Sequence, residues 1–124
     1  MEFLSKVYTT DGRLNRLRYF KYQVILTILS ALVGAMIGFA SGLLTGGDPT
    51  SMLFTVPTGI CSFIASIGGI MLSIRRLHDL NKSGWFMLLS LVPLVNVIFW
   101  LYILFAPGTT GWNDYGADPL ANEY

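Results

Sequence analysis

The densest group of side chains able to do chemistry is the run Arg75-Arg76-Leu77-His78-Asp79. On a helix, residues three and four apart are neighbours, so Arg75, His78 and Asp79 share a face while Arg76 is turned about 100° away. Arg75 is expected to pair with Asp79. A guanidinium grips phosphate through two parallel hydrogen bonds, and the His78 imidazole titrates near neutrality. Together with Arg13 and Arg16 near the start of the chain, Arg75, Arg76 and His78 form a candidate site for an anion or a lipid headgroup. The plainer alternative is topogenic charge with a local ion pair. His78 is the only histidine and Cys61 the only cysteine, and Cys61 lies inside an apolar stretch. No metal site, cofactor or catalytic residue is therefore expected: a second soft ligand and an activated nucleophile are both missing from the pattern. Asn113, Asp114 and Asp118 carry side-chain oxygens, but their spacing falls short of a cation-binding loop.

Three stretches without a charged residue frame these groups: Tyr22 to Leu44, Leu53 to Ile74 and Trp85 to Phe105, of 23, 22 and 21 residues. At about 1.5 Å per helical residue each reaches the roughly 30 Å of a bilayer's hydrocarbon core. A composition 53% hydrophobic and 12% charged is too apolar to cover the surface of a water-soluble domain of 124 residues. The fold class expected is all-α: a polytopic integral membrane protein with three transmembrane helices and a short amphipathic helix before the first. Residues 1–124 form one domain. An interfacial segment covers 1–21, spans lie at about 22–44, 53–74 and 85–105, and an irregular tail occupies 106–124. The opening residues lack a cleavable signal, so the first helix is expected to stay in the mature chain.

Lys and Arg number five before the first apolar stretch, none between the first and second, three between the second and third and none after. By the positive-inside rule the N-terminus and the loop 75–84 lie in the cytoplasm, and a tail beyond three crossings lies outside. Thr10-Asp11-Gly12 is expected as a turn, with Leu14, Leu17 and Phe20 at helical spacing opposite Arg13 and Arg16. Thr45-Gly46-Gly47-Asp48-Pro49 is a short turn, so spans one and two form an antiparallel pair. Asn81-Lys82-Ser83-Gly84 ends the second span, and Pro107-Gly108 stops the third.

Inside the membrane, two ladders of small residues recur every fourth position: Ser30, Gly34, Gly38 and Gly42 in the first span, and Cys61, Ala65, Gly69 and Ser73 in the second. Small side chains let membrane helices approach closely, so the ladders are candidate packing seams within the chain or between copies. The third span carries Pro93, which is expected to kink it, and Asn96, whose amide is costly in lipid and should face protein.

Three blocks carry a resemblance: Gly12-Arg13-Leu14-Asn15-Arg16 with Tyr19-Phe20; Arg75-Arg76-Leu77-His78-Asp79 with Lys82-Ser83-Gly84-Trp85; and Pro107-Gly108-Thr109 to Gly111 with Asn113, Tyr115-Gly116 and Asp118-Pro119. In this order, across about residues 12–119, they resemble the small bacterial inner-membrane proteins grouped as domain of unknown function 805, the YhaH-like family. The resemblance implies a bacterial cytoplasmic-membrane location and brings no activity, substrate or cofactor with it. Charge counting puts the first two blocks inside and the third outside. A hairpin bent at Pro93 would bring all three together, but 21 apolar residues make one good span and two arms too short to cross, so a single crossing is the reading adopted. The function expected is that of a non-enzymatic membrane component working through membrane lipids, anionic headgroups among them, or through a homo-oligomer or membrane-protein partner, with no nucleic acid. A small oligomeric transporter or channel subunit is the alternative.

Overall fold

A computed structural model describes residues 2–10, 12–48, 50–116 and 118–119, with side chains described from Leu4 onward. The turn residues Asp11 and Pro49 and the last five residues thus lie outside the description. The described chain is helical, in the order α1 (Glu2–Val7), α2 (Arg16–Thr45), α3 (Met52–Asp79), a 3₁₀ helix (Gly84–Leu91) and α4 (Val95–Phe105).

Helix α2 starts where the Asn15 side chain accepts from the Arg18 amide at 2.8 Å, and it ends at Gly46, whose φ of 74° only glycine adopts freely. Of the interfacial segment expected over 1–21, residues from Arg16 on, with Leu17 and Phe20, already belong to this long helix, and Arg13 and Leu14 precede it. A separate short helix does exist, but upstream, as α1. Ser51 caps α3. That helix ends in a Schellman motif, with Asn81 at φ 59° and the Lys82 amide donating to the Leu77 carbonyl at 2.8 Å. At 30 and 28 residues, α2 and α3 extend about 45 and 42 Å, enough to cross a bilayer with ends to spare. Only 11% and 6% of the residues in their apolar windows are buried, which is the pattern of lipid-facing helices and not of a soluble protein's core.

The third apolar stretch departs from expectation. It is not one continuous helix: the 3₁₀ helix of 8 residues and the α-helix of 11 residues are separated at Val92–Leu94, and the chain reverses there. Proline at 93 has no amide to leave unpaired, Leu94 takes φ 70°, and the Val95 amide closes a tight turn on the Pro93 carbonyl at 2.8 Å. At about 2.0 and 1.5 Å per residue the two arms each reach about 16 Å, half a hydrocarbon core. Two arms of equal reach form a hairpin. It returns residues 107–116 to the end of the molecule where α2 begins and α3 ends.

Buried side chains concentrate at that end, hereafter the root: Val7, Leu14, Tyr19, Leu26, Leu72, Leu77, Leu80, Phe99 and Ile103 form one apolar cluster drawn from every long element. Tyr19 and Ser73 join α2 to α3 across it with a hydroxyl pair at 2.9 Å.

Candidate functional site

The root is held by a buried carboxylate between two arginines. Asp79 offers Oδ1 to Arg13, with Nε at 3.0 Å and Nη2 at 2.9 Å, and Oδ2 to Arg76 Nη1 at 2.9 Å. Both guanidinium side chains are at most 1% exposed. Arg13 directs further donors at the carbonyls of Thr109, Gly111 and Gly116, so all three of its guanidinium nitrogens are engaged inside the fold. Arg76 donates to the carbonyls of Ile103 and Ala106. A second cation without its own carboxylate would be costly here; five backbone carbonyls supply the missing negative potential.

The pattern has a cause in α4. Its last turn carries no basic residue, and its terminal carbonyls need donors in an apolar setting. Arg76 from α3 supplies them at Ile103 and Ala106, and Arg16 from α2 supplies Phe105 at 2.8 Å, each placing positive charge at the negative end of the helix dipole. The tail then wraps Asp79. The Thr109 amide donates to the Asp79 carbonyl at 2.7 Å, and Gly108 passes so close that a Cβ on it would fall within the Asp79 carboxylate. Gly111, at φ 77°, turns its carbonyl toward Arg13.

His78 lies beside this lock and outside it. Its ring stacks on Tyr115 at 4.0 Å and 4°, its Nδ1 is 3.1 Å from the Gly12 carbonyl, and its own carbonyl accepts from Asn113 Nδ2 at 2.8 Å. Asn113 Oδ1 and Asp118 Oδ2 accept backbone amides of Tyr115 and Gly111. These oxygens therefore shape the tail. Tyr115 packs on His78, while Trp112 is 78% exposed.

The five residues expected to bind an anion are thus divided. Arg13 and Arg76 turn inward to Asp79; Arg16 caps α4; His78 stacks on the tail. Arg75, expected to pair with Asp79, points to the other side and donates to the Lys6 carbonyl. The pairing at i,i+3 displaces the one at i,i+4 because Arg13 and the tail fix Asp79 on the Arg76 side. One signal for the lock was present in the sequence: Asp79 is the only acidic residue between the second and third apolar stretches.

The two ladders lie on the less exposed faces of α2 and α3, but their close approach is local. A Cβ at Gly38 would meet the Phe54 ring at 3.6 Å and one at Gly69 the Gln23 amide at 3.6 Å, whereas Gly34 and Gly42 have nothing within 4 Å. Ser73 is fully buried against Tyr19, and Ser30 bonds its own helix at the Leu26 carbonyl. Cys61 and Ala65 are half-buried. Within α2 and α3 the tightest glycine contact lies outside both ladders: Gly68 abuts Tyr8 and Val7, and the Tyr8 hydroxyl donates to the Ile64 carbonyl at 2.8 Å, seating the N-terminal segment on α3. Asn96 is half-buried on the first turn of α4, near the hairpin tip.

A family model described as Protein of unknown function (DUF805) matches residues 7–117. Inner membrane protein YhaI of Escherichia coli strain K12 is 36% identical over 110 residues, which cover 88% of this chain and 84% of that one. Inner membrane protein YhaH of the same strain is 30% identical over 111 residues, covering 87% and 84%. No solved structure matches. The chain belongs to the DUF805 family and, like these relatives, is an integral membrane protein built from apolar helices.

Proposed function

We propose that this DUF805 chain is a non-enzymatic component of the bacterial inner membrane that works by contact with lipids or partner proteins. In this reading α2 and α3 cross the bilayer, residues 84–105 enter and leave by the cytoplasmic face, and the root with both chain ends lies in the cytoplasm. What supports it is the lock: the polar residues of all three motif blocks meet at the root, and there they hold segments of this chain to one another. Arg13, with all three guanidinium nitrogens engaged by Asp79 and the tail, is the clearest instance. What the fold turns outward is apolar helix surface and, at the root, the remaining cations. All eight Lys and Arg residues are at the root or in the segments leading to it, and the α2–α3 loop has none, in keeping with a cytoplasmic root.

The test is purification of the full chain in mild detergent, followed by mass spectrometry of what stays bound. A reproducible set of lipids or proteins is expected. Recovery of the bare chain with no lipid or protein enriched over a control membrane protein, together with solute flux across liposomes containing it, would replace this reading with a transporter.

A further inference from the structure

A groove of about 620 Å³ runs between α2, α3 and α4 from the root toward the membrane centre. Its walls are Phe20, Val24 and Ile28 of α2, Ile70 of α3, and Trp100 and Leu104 of α4, and among the described residues none that lines it is charged. The volume is within the roughly 300–1,000 Å³ of ligand pockets. Polar side chains reach the groove, but they are spent on the protein. The Thr27 and Ser66 hydroxyls donate to the carbonyls of Gln23 and Ser62 at 2.8 Å, the Gln23 amide donates to the Gly69 carbonyl at 3.2 Å, and the Tyr19 hydroxyl is paired with Ser73. What remains is a surface for hydrocarbon. Phe20 and Ile28 are eight residues apart, about 12 Å along α2 and most of the roughly 15 Å that one leaflet contributes to the bilayer core.

The mouth of the groove carries the sign of what fills it. Arg16 lies four residues before Phe20 and so heads the same stripe of α2, and its Nη1 donates at 2.8 Å to the carbonyl of Phe105, next to Leu104 at the end of the opposite wall. One guanidinium thus bridges both walls. Phe105 is the last residue of the third apolar stretch, so this guanidinium lies where hydrocarbon gives way to water, the level of lipid phosphates. Arg16 is exposed, the bond to Phe105 takes one of its three guanidinium nitrogens, and the Asp79 carboxylate is committed to Arg13 and Arg76. We infer that the groove holds one acyl chain of an anionic phospholipid, whose phosphate accepts from the remaining nitrogens of Arg16. This site deepens the reading of the protein as a lipid-contacting membrane component and rests on it.

The test uses the full chain in bilayers with Trp100 as its only tryptophan, in the background Trp85→Phe/Trp112→Phe. The probes are phosphatidylglycerol and phosphatidylcholine with the same brominated acyl chains, each mixed into unlabelled phosphatidylcholine, because bromine quenches tryptophan fluorescence only at close range. Quenching of Trp100 is expected to show about fivefold stronger association of the brominated phosphatidylglycerol, the preference that one basic residue confers at the phosphate level. Arg16→Gln should bring the ratio to about one, and Lys82→Gln, which removes equal charge outside the groove, should leave it unchanged. Ser66→Phe fills the groove and leaves Arg16 in place; it should cut the quenching by phosphatidylglycerol to that by phosphatidylcholine. Because Ser66 is exposed, this variant keeps the test decisive should Arg16→Gln loosen α4. Equal quenching by the two lipids in the parent, or a ratio unchanged in Arg16→Gln or in Ser66→Phe, overturns the site. Lipids or proteins still enriched on purification would then leave the broader reading standing. Quenching of Trp100 by neither lipid, with Trp85 in the matching single-tryptophan variant quenched normally, overturns the site in favour of a second copy of this chain seated in the groove.

Discussion

Asp79 shows how one carboxylate can decide the arrangement of three segments. Removing its charge leaves two guanidiniums buried among carbonyls alone, and breaking a buried pair from one side costs about 3–5 kcal/mol. Asp79→Asn should therefore be among the most destabilising substitutions in the chain, measured as the midpoint of denaturant unfolding in detergent. Gly108→Ala acts on the same contact from the other side, by driving a methyl group into the carboxylate. Because both break one interaction, the double variant should cost much less than the sum of the singles. Arg13→Lys keeps the charge but cannot make the four hydrogen bonds that Arg13 spreads over Asp79 and three carbonyls, so it too should unfold earlier. If Arg13→Lys proved as stable as the parent, charge alone, and not the fork, would be what holds the root. The residue types of this site were legible in the sequence and their partners were not. Helical spacing allows Asp79 either Arg75 or Arg76, and the choice is made by Arg13, 66 positions away.

At the scale of elements, the two long helices were legible because lipid-facing length and composition are local properties. The hairpin was not. Twenty-one apolar residues satisfy the length of one span, and nothing in an apolar count distinguishes 21 residues in line from 8 and 11 folded back. The one local sign was Pro93, which breaks a helix but does not say through what angle. Leu94 carries the cost of the reversal, since a non-glycine residue at φ 70° is strained by about 1 kcal/mol or more. Its side chain is 83% exposed and gives up little protein contact if removed. Leu94→Gly is expected to raise stability by up to about 1 kcal/mol, net of glycine's greater freedom when unfolded. A fall of that size would argue against a positive φ at this position. The ladders were legible as a face and less so as a contact. Gly38→Leu must displace the Phe54 ring and should weaken the α2–α3 pair by about 1–3 kcal/mol, whereas Leu32→Phe, on the exposed face, should be neutral. Paired-cysteine crosslinking between α2 and α3 measures the difference.

For the whole molecule, the decisive question is whether the chain crosses the membrane twice or three times. A third crossing would carry the tail about 30 Å from the root. Arg13 could not then reach the carbonyls of Gly111 and Gly116, nor Asp79 the Thr109 amide, and α4 would lose the donors that Arg16 and Arg76 give its last turn. With two crossings and a hairpin, every basic residue falls on one side and the α2–α3 loop, with Asp48 and no cation, on the other. The positive-inside rule is then met at both faces without assigning a side to the uncharged hairpin tip. Reporter fusions at Tyr124 and in the loop at Gly47 should therefore disagree, the first cytoplasmic and the second external. A third label separates the hairpin from a simple error of orientation: a cysteine introduced in place of Leu94, in a Cys61→Ser background, should resist water-soluble maleimides added from either side, because a tip about 16 Å deep lies near the bilayer midplane. External signals from both fusions would mean a straight third span, and with it a root in which Arg13 and Asp79 lack the tail that surrounds them.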